Sequence, residues 1–166
     1  MALHIQNPQE LFFHDLCCMY EVEQQLARLL TEFADESSSR EVKNTFKEHQ
    51  RETTQHMRNL DQCFEILRRP PLKIEHQTIA GMKLDHDALT HQQISPQMLT
   101  LANITAGIKS EYLEMAAYHC LIDAADVLGL QPCIPLFEQN LRQEESFAQK
   151  LVKLGHQLGS QQTQHV

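Results

Sequence analysis

Apolar residues recur along this chain in alternating steps of three and four, and the pattern appears four times. Such spacing puts the apolar residues of each segment on one face of an α-helix. The first stripe reads Phe12, Leu16, Met19, position 23, Leu26, Leu30 and Phe33, with Asn7 as cap and Pro8 at the first helical position; it stops near "ADESSSR". The second reads Val42, Phe46, His49, Thr53, His56, Leu60, Cys63 and Leu67, and ends before "RRPP", where paired prolines forbid continuation. The third starts at Ser95 and Pro96, reads Ile104, Ile108, position 111, Met115, Tyr118, Ile122 and Ala125, and is closed by Gly129. The fourth opens at "CIPLFE", reads Phe137, Leu141, position 144, Ala148 and Leu151, and fades around Gly155 and Leu158.

Two of the connections are short, whereas the stretch from Pro70 to Pro96 is long. Short links make antiparallel neighbours and a long one permits a crossover along a bundle. The spacing predicts an all-α four-helix bundle of two antiparallel hairpins joined by a crossover. Within that crossover, "HQTIAGMKLDHDALTHQQ" predicts a short extra helix with an apolar side at Ile79, Met82 and Leu89. A single domain over residues 1–166 is expected, with its core at about 8–158 and a frayed tail at 159–166.

Composition narrows the partners. The net charge of −8 offers no basic patch for nucleic acid or an anionic membrane surface, and the start "MALHIQNPQELFFHDL" has neither the basic segment nor the apolar run of a signal peptide. With no apolar run of about 18 residues to span a bilayer, a cytoplasmic setting is expected. Cys17, Cys18, Cys63, Cys120 and Cys133 are odd in number and form no CxxC pair, so neither a disulfide framework nor a zinc knuckle is suggested. The isolated histidines His76, His86 and His91 are expected at the surface, and Phe13 is expected to face outward.

The chemistry lies in what interrupts the stripes. Positions 23, 111 and 144 are glutamates, each standing where an apolar residue belongs. On the second helix His49, Glu52 and His56 fall within an arc of about 60°, and Glu114 shares the face of Glu111 three residues earlier. Glu23, Glu52, Glu111 and Glu144 all stand near the middle of their segments, so one layer of an antiparallel bundle can hold all four. For any one of them a place at the stripe margin, with its head in water, is the simpler account; four at one depth are not so easily explained. A buried carboxylate without a partner costs several kcal/mol, and none of the stripe positions is Lys or Arg. Shared protons, water or bound metal cations remain as neutralisers. Carboxylates with some imidazole suit iron or manganese, and two metals bridged by Glu would offset several charges at once. For His49 and His56 direct ligation competes evenly with a hydrogen bond to a neighbouring carboxylate.

These residues resemble the ferritin-like four-helix proteins with a carboxylate-bridged dimetal site, and more closely the YciF family of ferritin-like bacterial stress proteins. "YEVEQQL" at 20–26 resembles that family's Tyr-x-x-Glu-Lys-Gln-Leu, and "HQRETTQH" at 49–56 its His-x-x-Glu-Thr segment. "SEYLEMAAY" at 110–118 is similar to its Glu-His-Tyr-Glu-Ile-Ala-x-Tyr and to the third-helix Glu pair of rubrerythrins, while "LRQEES" at 141–146 sits where the family has Leu-x-Glu-Glu-Lys. The likeness covers about residues 8–155. It implies metal ligation by Glu23, Glu52, Glu111, Glu114 and Glu144, with His56 the best nitrogen candidate. On that reading Glu23 and Glu144 are terminal ligands, Glu52 and Glu111 bridge, and Glu114 shifts with oxidation state. Departures are plain. Gln55 and Phe147 stand where a Glu-x-x-His would put its histidine, His56 where relatives often carry Gln, Gln143 replaces the first Glu of the fourth-helix pair, and Ala148 replaces an acid.

The function expected is binding of two metal ions, iron or manganese, and handling of peroxide, dioxygen or ferrous iron under stress, as a metal-dependent oxidoreductase if the site is catalytic. The rival is a non-catalytic helical stress or interaction protein with a degenerate site. A homodimer is expected from the resemblance, with Phe13 and the crossover helix as candidate surface; cage-forming metal storage fits the resemblance less well.

Overall fold

Each of the four stripes forms a helix in the computed structural model, which describes residues 5–163. The long helices are α1 (Pro8–Glu36), α2 (Arg40–Leu67), α4 (Pro96–Val127) and α5 (Ile134–Thr163), with the shorter α3 (Gln77–Thr90) in the crossover and a 3-10 turn at Gln131–Cys133 leading into α5. No strand forms among the described residues. Local chemistry sets the ends. Asn7 Oδ1 accepts the Glu10 N–H at 2.8 Å and Ser95 Oγ accepts that of Met98 at 3.3 Å, each with proline following at the first helical position. α4 closes where Gly129 takes φ +69°, and the N–H groups of Gly129 and Leu130 return to the carbonyls of Asp126 and Ala125 at 3.0 and 2.8 Å. α5 runs on to Thr163, so the part of the expected frayed tail at 159–163 is helical; residues 164–166 lie outside those described.

Side-chain pairs fix the topology. Phe13 meets Phe64 and Phe33 meets Phe46, so α1 and α2 run antiparallel. Asn59 meets Asn140 while Glu48 meets Lys150, so α2 and α5 do too. Glu23 accepts from Tyr118, and Glu36 from Asn103, which sets α1 antiparallel to α4. Every neighbouring pair is antiparallel only because the crossover carries the chain back along the bundle, as the ferritin-like connection requires. At Gly107 α4 comes so close to α5 and α2 that a Cβ would lie 2.8 Å from Leu151 Cδ1 and 3.3 Å from Phe46 Cε1. Above and below the middle, Leu16, Leu30, Phe46, Leu60, Phe137 and Leu151 are fully enclosed. Each contributes about 1.5–3 kcal/mol by burial, enough together to carry a polar layer costing several kcal/mol per unpaired group.

Three surface expectations are overturned. Phe13 is 2 % exposed, edge-on to Phe64 with the Arg69 guanidinium 3.6 Å from its ring centre, because the start of the crossover folds over α1. His86 is buried against Phe33 and bonded to Asn103 Oδ1 at 2.7 Å, since α3 lies on α1 and α4 with that face inward. Leu89, expected on the apolar side of α3, is 47 % exposed; Ile79 and His86 take the inward positions.

Candidate metal centre

The interruptions of the stripes meet in mid-bundle. Glu23 comes from α1, His49 and His56 from α2, Glu111 and Glu114 from α4, and Glu144 from α5, and none of the six is more than 2 % exposed. Helical periodicity leaves them no other orientation: Glu23 follows Met19 by one turn and precedes Leu26, and Glu144 stands between Leu141 and Ala148, all of them core residues.

Within this layer two trios share one residue. Glu144 Oε1 lies 2.8 Å from His56 Nδ1, which is 3.4 Å from Glu23 Oε1. Glu144 Oε2 lies 3.1 Å from His49 Nε2, which is 3.3 Å from Glu111 Oε2. The distances suit ion pairs, yet the alignment fails for hydrogen bonds: Glu23 Oε2, Glu111 Oε2, both Glu144 oxygens and His56 Nδ1 are enclosed without a hydrogen-bond partner. In each trio one candidate ligand atom per residue lies within 4.8 Å of the others. Oxygen and imidazole donors in such sets fit hard and borderline cations, and buried orphaned acceptors are what a cation would satisfy.

The outer nitrogen of each imidazole is anchored. His49 Nδ1 lies 3.0 Å from Glu52 Oε2, and His56 Nε2 lies 3.0 Å from Gln143 Oε1, leaving one nitrogen of each ring facing Glu144. Phe147 stacks on the His49 ring with centroids 3.7 Å apart and an interplanar angle of 13°. The residue standing where α5 lacks its histidine thus orients one supplied by α2. Behind Glu23, the Tyr118 hydroxyl donates to its Oε1; Asn140 Nδ2 donates to Tyr118 Oη at 2.8 Å, and Asn59 Nδ2 to Asn140 Oδ1 at 2.6 Å.

Protons balance the charge in the absence of metal. Burial, then repulsion from Glu144, raises Glu111 well above the usual carboxylate range; burial with Glu144, Glu23 and Glu111 does the same to Glu114. Burial also raises Glu23. His56 is pushed up to about 10: burial works against the charge, but Glu23 and Glu144 outweigh it. His49 is raised in the same way by Glu111, Glu144 and Glu52, against burial. Burial works against its charge, yet Glu144 alone of the cluster is held below its usual value, since the close approach of the two imidazoles outweighs that burial. An anionic Glu144 between two imidazolium rings is the resulting metal-free arrangement.

Of the residues singled out from the sequence, Glu23, Glu111, Glu144 and His56 come together, with Glu114 buried near enough to feel the charges of Glu144, Glu23 and Glu111. Glu52 does not join them. Its side chain is 36 % exposed and meets His49 from the outside, whereas the carboxylate common to both trios is that of Glu144; the resemblance implied a bridging Glu52 and a terminal Glu144. His49, left evenly balanced between ligand and hydrogen-bond partner, belongs to the second trio. The signal that could have placed it inside was present, because His49 is a stripe position and Glu52 stands at the edge of the arc.

Residues 7–164 match the family described as a domain of unknown function (DUF892). The chain is 26 % identical over 155 residues to Protein YciF of Escherichia coli strain K12, covering 92 % of each sequence. The crystal structure of the E. coli stress protein YciF superposes with a TM-score of 0.88 at 24 % identity, covering 94 % of this chain and 99 % of that one. YcfI from Rhodopseudomonas palustris superposes with a TM-score of 0.86 at 26 % identity, over 91 % and 96 % of the two chains. A likeness that runs through sequence and fold from end to end leaves one assignment: the chain belongs to the DUF892 family and has the helical fold of the YciF stress protein.

Proposed function

We propose that the protein binds two metal ions, iron or manganese, one at each trio, and uses them on peroxide, dioxygen or ferrous iron in a stress response. The observation that carries this reading is Glu144, whose two buried oxygens each face a different imidazole and carboxylate without a hydrogen bond. When bound, such a metal pair supplies one-electron steps that no side chain of this cluster can supply. Glu23 and His56 would hold one ion, Glu111 and His49 the other, and Glu144 both. Glu114 is a further buried carboxylate within the layer, suited to complete either shell. Glu52 and Gln143 fix the imidazole orientations, Tyr118 and Asn140 fix Glu23, and the apolar layers at either end exclude bulk water. No described helix is long and apolar enough to cross a membrane. A homodimer, if formed, would use the crossover helix, where Leu84 and Leu89 are exposed, and not Phe13.

The test is metal content after anaerobic loading with ferrous iron or manganese. Near-stoichiometric retention by the wild type and loss in Glu111→Ala is expected; failure to retain metal, or equal retention by the variant, would sink the dimetal reading. Consumption of peroxide or oxidation of ferrous iron by the loaded protein then decides whether it is an oxidoreductase. One observation favours the rival, a non-catalytic helical stress or interaction protein: His56 already touches two carboxylates and His49 three, so protons alone can balance the cluster.

A further inference from the structure

The two trios share Glu144 and differ in what stands behind their other members. Each imidazole has its outer nitrogen held at the same distance, 3.0 Å, but the acceptor for His49 is the Glu52 carboxylate and that for His56 is the Gln143 amide oxygen. A hydrogen bond to an ionised acceptor is roughly twice as strong as one to a neutral acceptor, and it leaves the inner nitrogen of the ring more basic. His49 Nε2, which faces Glu111 and Glu144, is therefore the stronger donor, and His56 Nδ1, which faces Glu23 and Glu144, the weaker. The carboxylates differ in the same sense. Tyr118 Oη accepts from Asn140 Nδ2 at 2.8 Å, so its own proton is left for Glu23 Oε1, and that bond draws electron density away from Glu23. Glu111 carries no comparable load. The Ser110 hydroxyl stands 3.5 Å from Glu111 Oε1 and gives its single proton to the Gly107 carbonyl at 2.8 Å.

We propose that the two metal sites are unequal: the first ion settles among His49, Glu111 and Glu144, the second is held more weakly among His56, Glu23 and Glu144, and Glu52 and Gln143 are the positioning residues that set this order. The order rests on the dimetal reading of the core. Depth does not separate the sites, because none of the five ligands is more than 2 % exposed. Glu114 does not separate them either, since it stands near enough to feel Glu144, Glu23 and Glu111 alike. An outer-shell partner is worth about 10- to 100-fold in metal affinity. Glu52 is 36 % exposed and water screens part of its charge, so a difference near the lower end, about tenfold, is expected between the sites. At limiting metal the His49 trio then keeps a resident ion, while the Glu23–His56 trio, with Tyr118 behind it, takes the exchangeable one. Ferrous iron handled as a substrate would enter there.

Crystals of the metal-free full-length protein given a single equivalent of manganese test the order, with anomalous scattering locating the ion. Two equal sites would also load in steps, because neighbouring cations repel, so the position filled first is the informative reading. Density concentrated between His49 and Glu111 is expected, with the Glu23–His56 position filling only as manganese is added in excess. Equal occupancy at one equivalent, or filling of the Glu23–His56 position first, would overturn the inequality and leave the dimetal reading standing. Manganese in neither position, even in excess, would overturn both. Calorimetry of Gln143→Glu supplies a gain that a damaged fold cannot produce: the weaker manganese constant should tighten by about tenfold. Combining Glu52→Gln with Gln143→Glu should move the occupancy ratio at one equivalent toward the Glu23–His56 position by at least about tenfold. A ratio unchanged by that exchange would show that the two anchors do not set the order.

Discussion

Two polar layers are buried in this bundle, and they differ in one respect. Near one end, Asn103 accepts from His86 at 2.7 Å and donates to Glu36 at 3.1 Å, while Thr100 accepts the Ser38 N–H at 2.9 Å and donates to the Pro96 carbonyl at 2.9 Å. None of these side chains leaves an enclosed atom without a partner. In the middle layer Glu23, Glu111 and Glu144 do leave such atoms, although imidazoles stand within 3.4 Å. Burial of polar groups is therefore not the mark of a site in this protein. What sets the middle layer apart, and what the proposed metal site rests on, is convergence without hydrogen-bond alignment, since a fold that needed only internal satisfaction could have achieved it, as the end layer does.

The contrast is broken most severely at the shared carboxylate. Glu144→Ala should lower metal affinity by more than about 100-fold, exceeding the effect of losing an outer-shell partner, as measured by metal content after dialysis. It also removes the anion between two raised imidazoles, so the metal-free variant should be destabilised by up to about 3–5 kcal/mol in urea unfolding, less whatever deprotonation of the histidines recovers.

pH separates protons from metal. His56 is raised to about 10 in the fold against about 6.5 in an unfolded chain. Its stabilisation is complete below about 6.5 and is lost as pH rises through about 10. Glu23, Glu111 and Glu114, also raised, contribute in the same sense: their stabilisation is complete below the ordinary carboxylate range and is lost above it. Glu144, lowered, contributes above that range and loses its part toward acid. The metal-free melting temperature should therefore fall from about pH 6.5 to 10, while manganese affinity rises by about tenfold per pH unit for each proton displaced. Melting curves with and without manganese should diverge as pH increases; curves that stay parallel would show that protons and metal do not compete for one cluster.

Smaller effects sharpen the comparison. Glu52→Gln, which weakens the anchor on His49 from outside, should reduce metal affinity by about 10- to 100-fold and leave stability nearly unchanged. Loss as severe as in Glu144→Ala would place Glu52 among the ligands after all. In the satisfied layer, Asn103→Leu should cost about 1–3 kcal/mol, because His86 and Glu36 lose their partner, and should not alter metal retention.

The first stripe was legible to the residue: Phe12, Leu16, Met19, Glu23, Leu26, Leu30 and Phe33 are all buried. Periodicity reports one face of a helix, and on α1 that face is inside. It missed Phe13 because the buried face of α1 is wider than one stripe, covered by Phe64 of α2 and by Arg69 just beyond it. Periodicity alone could not fix the depth of Glu52 for the converse reason: a long side chain at the edge of the arc can keep its head near water while bonding to a buried neighbour.

What the sequence by itself determined was the four helices, their caps, the crossover and the set of helices that bring acid to mid-bundle. These depend on short-range spacing and on turn chemistry that each segment carries alone. Only the tertiary structure decided that Glu144 is the carboxylate shared by both trios, that His49 enters as well as His56, and that Glu52 stays outside. Those outcomes depend on the rotation and axial offset of each helix against its neighbours. Packing around residues such as Gly107 and Phe147 sets both quantities, and a single stripe records neither.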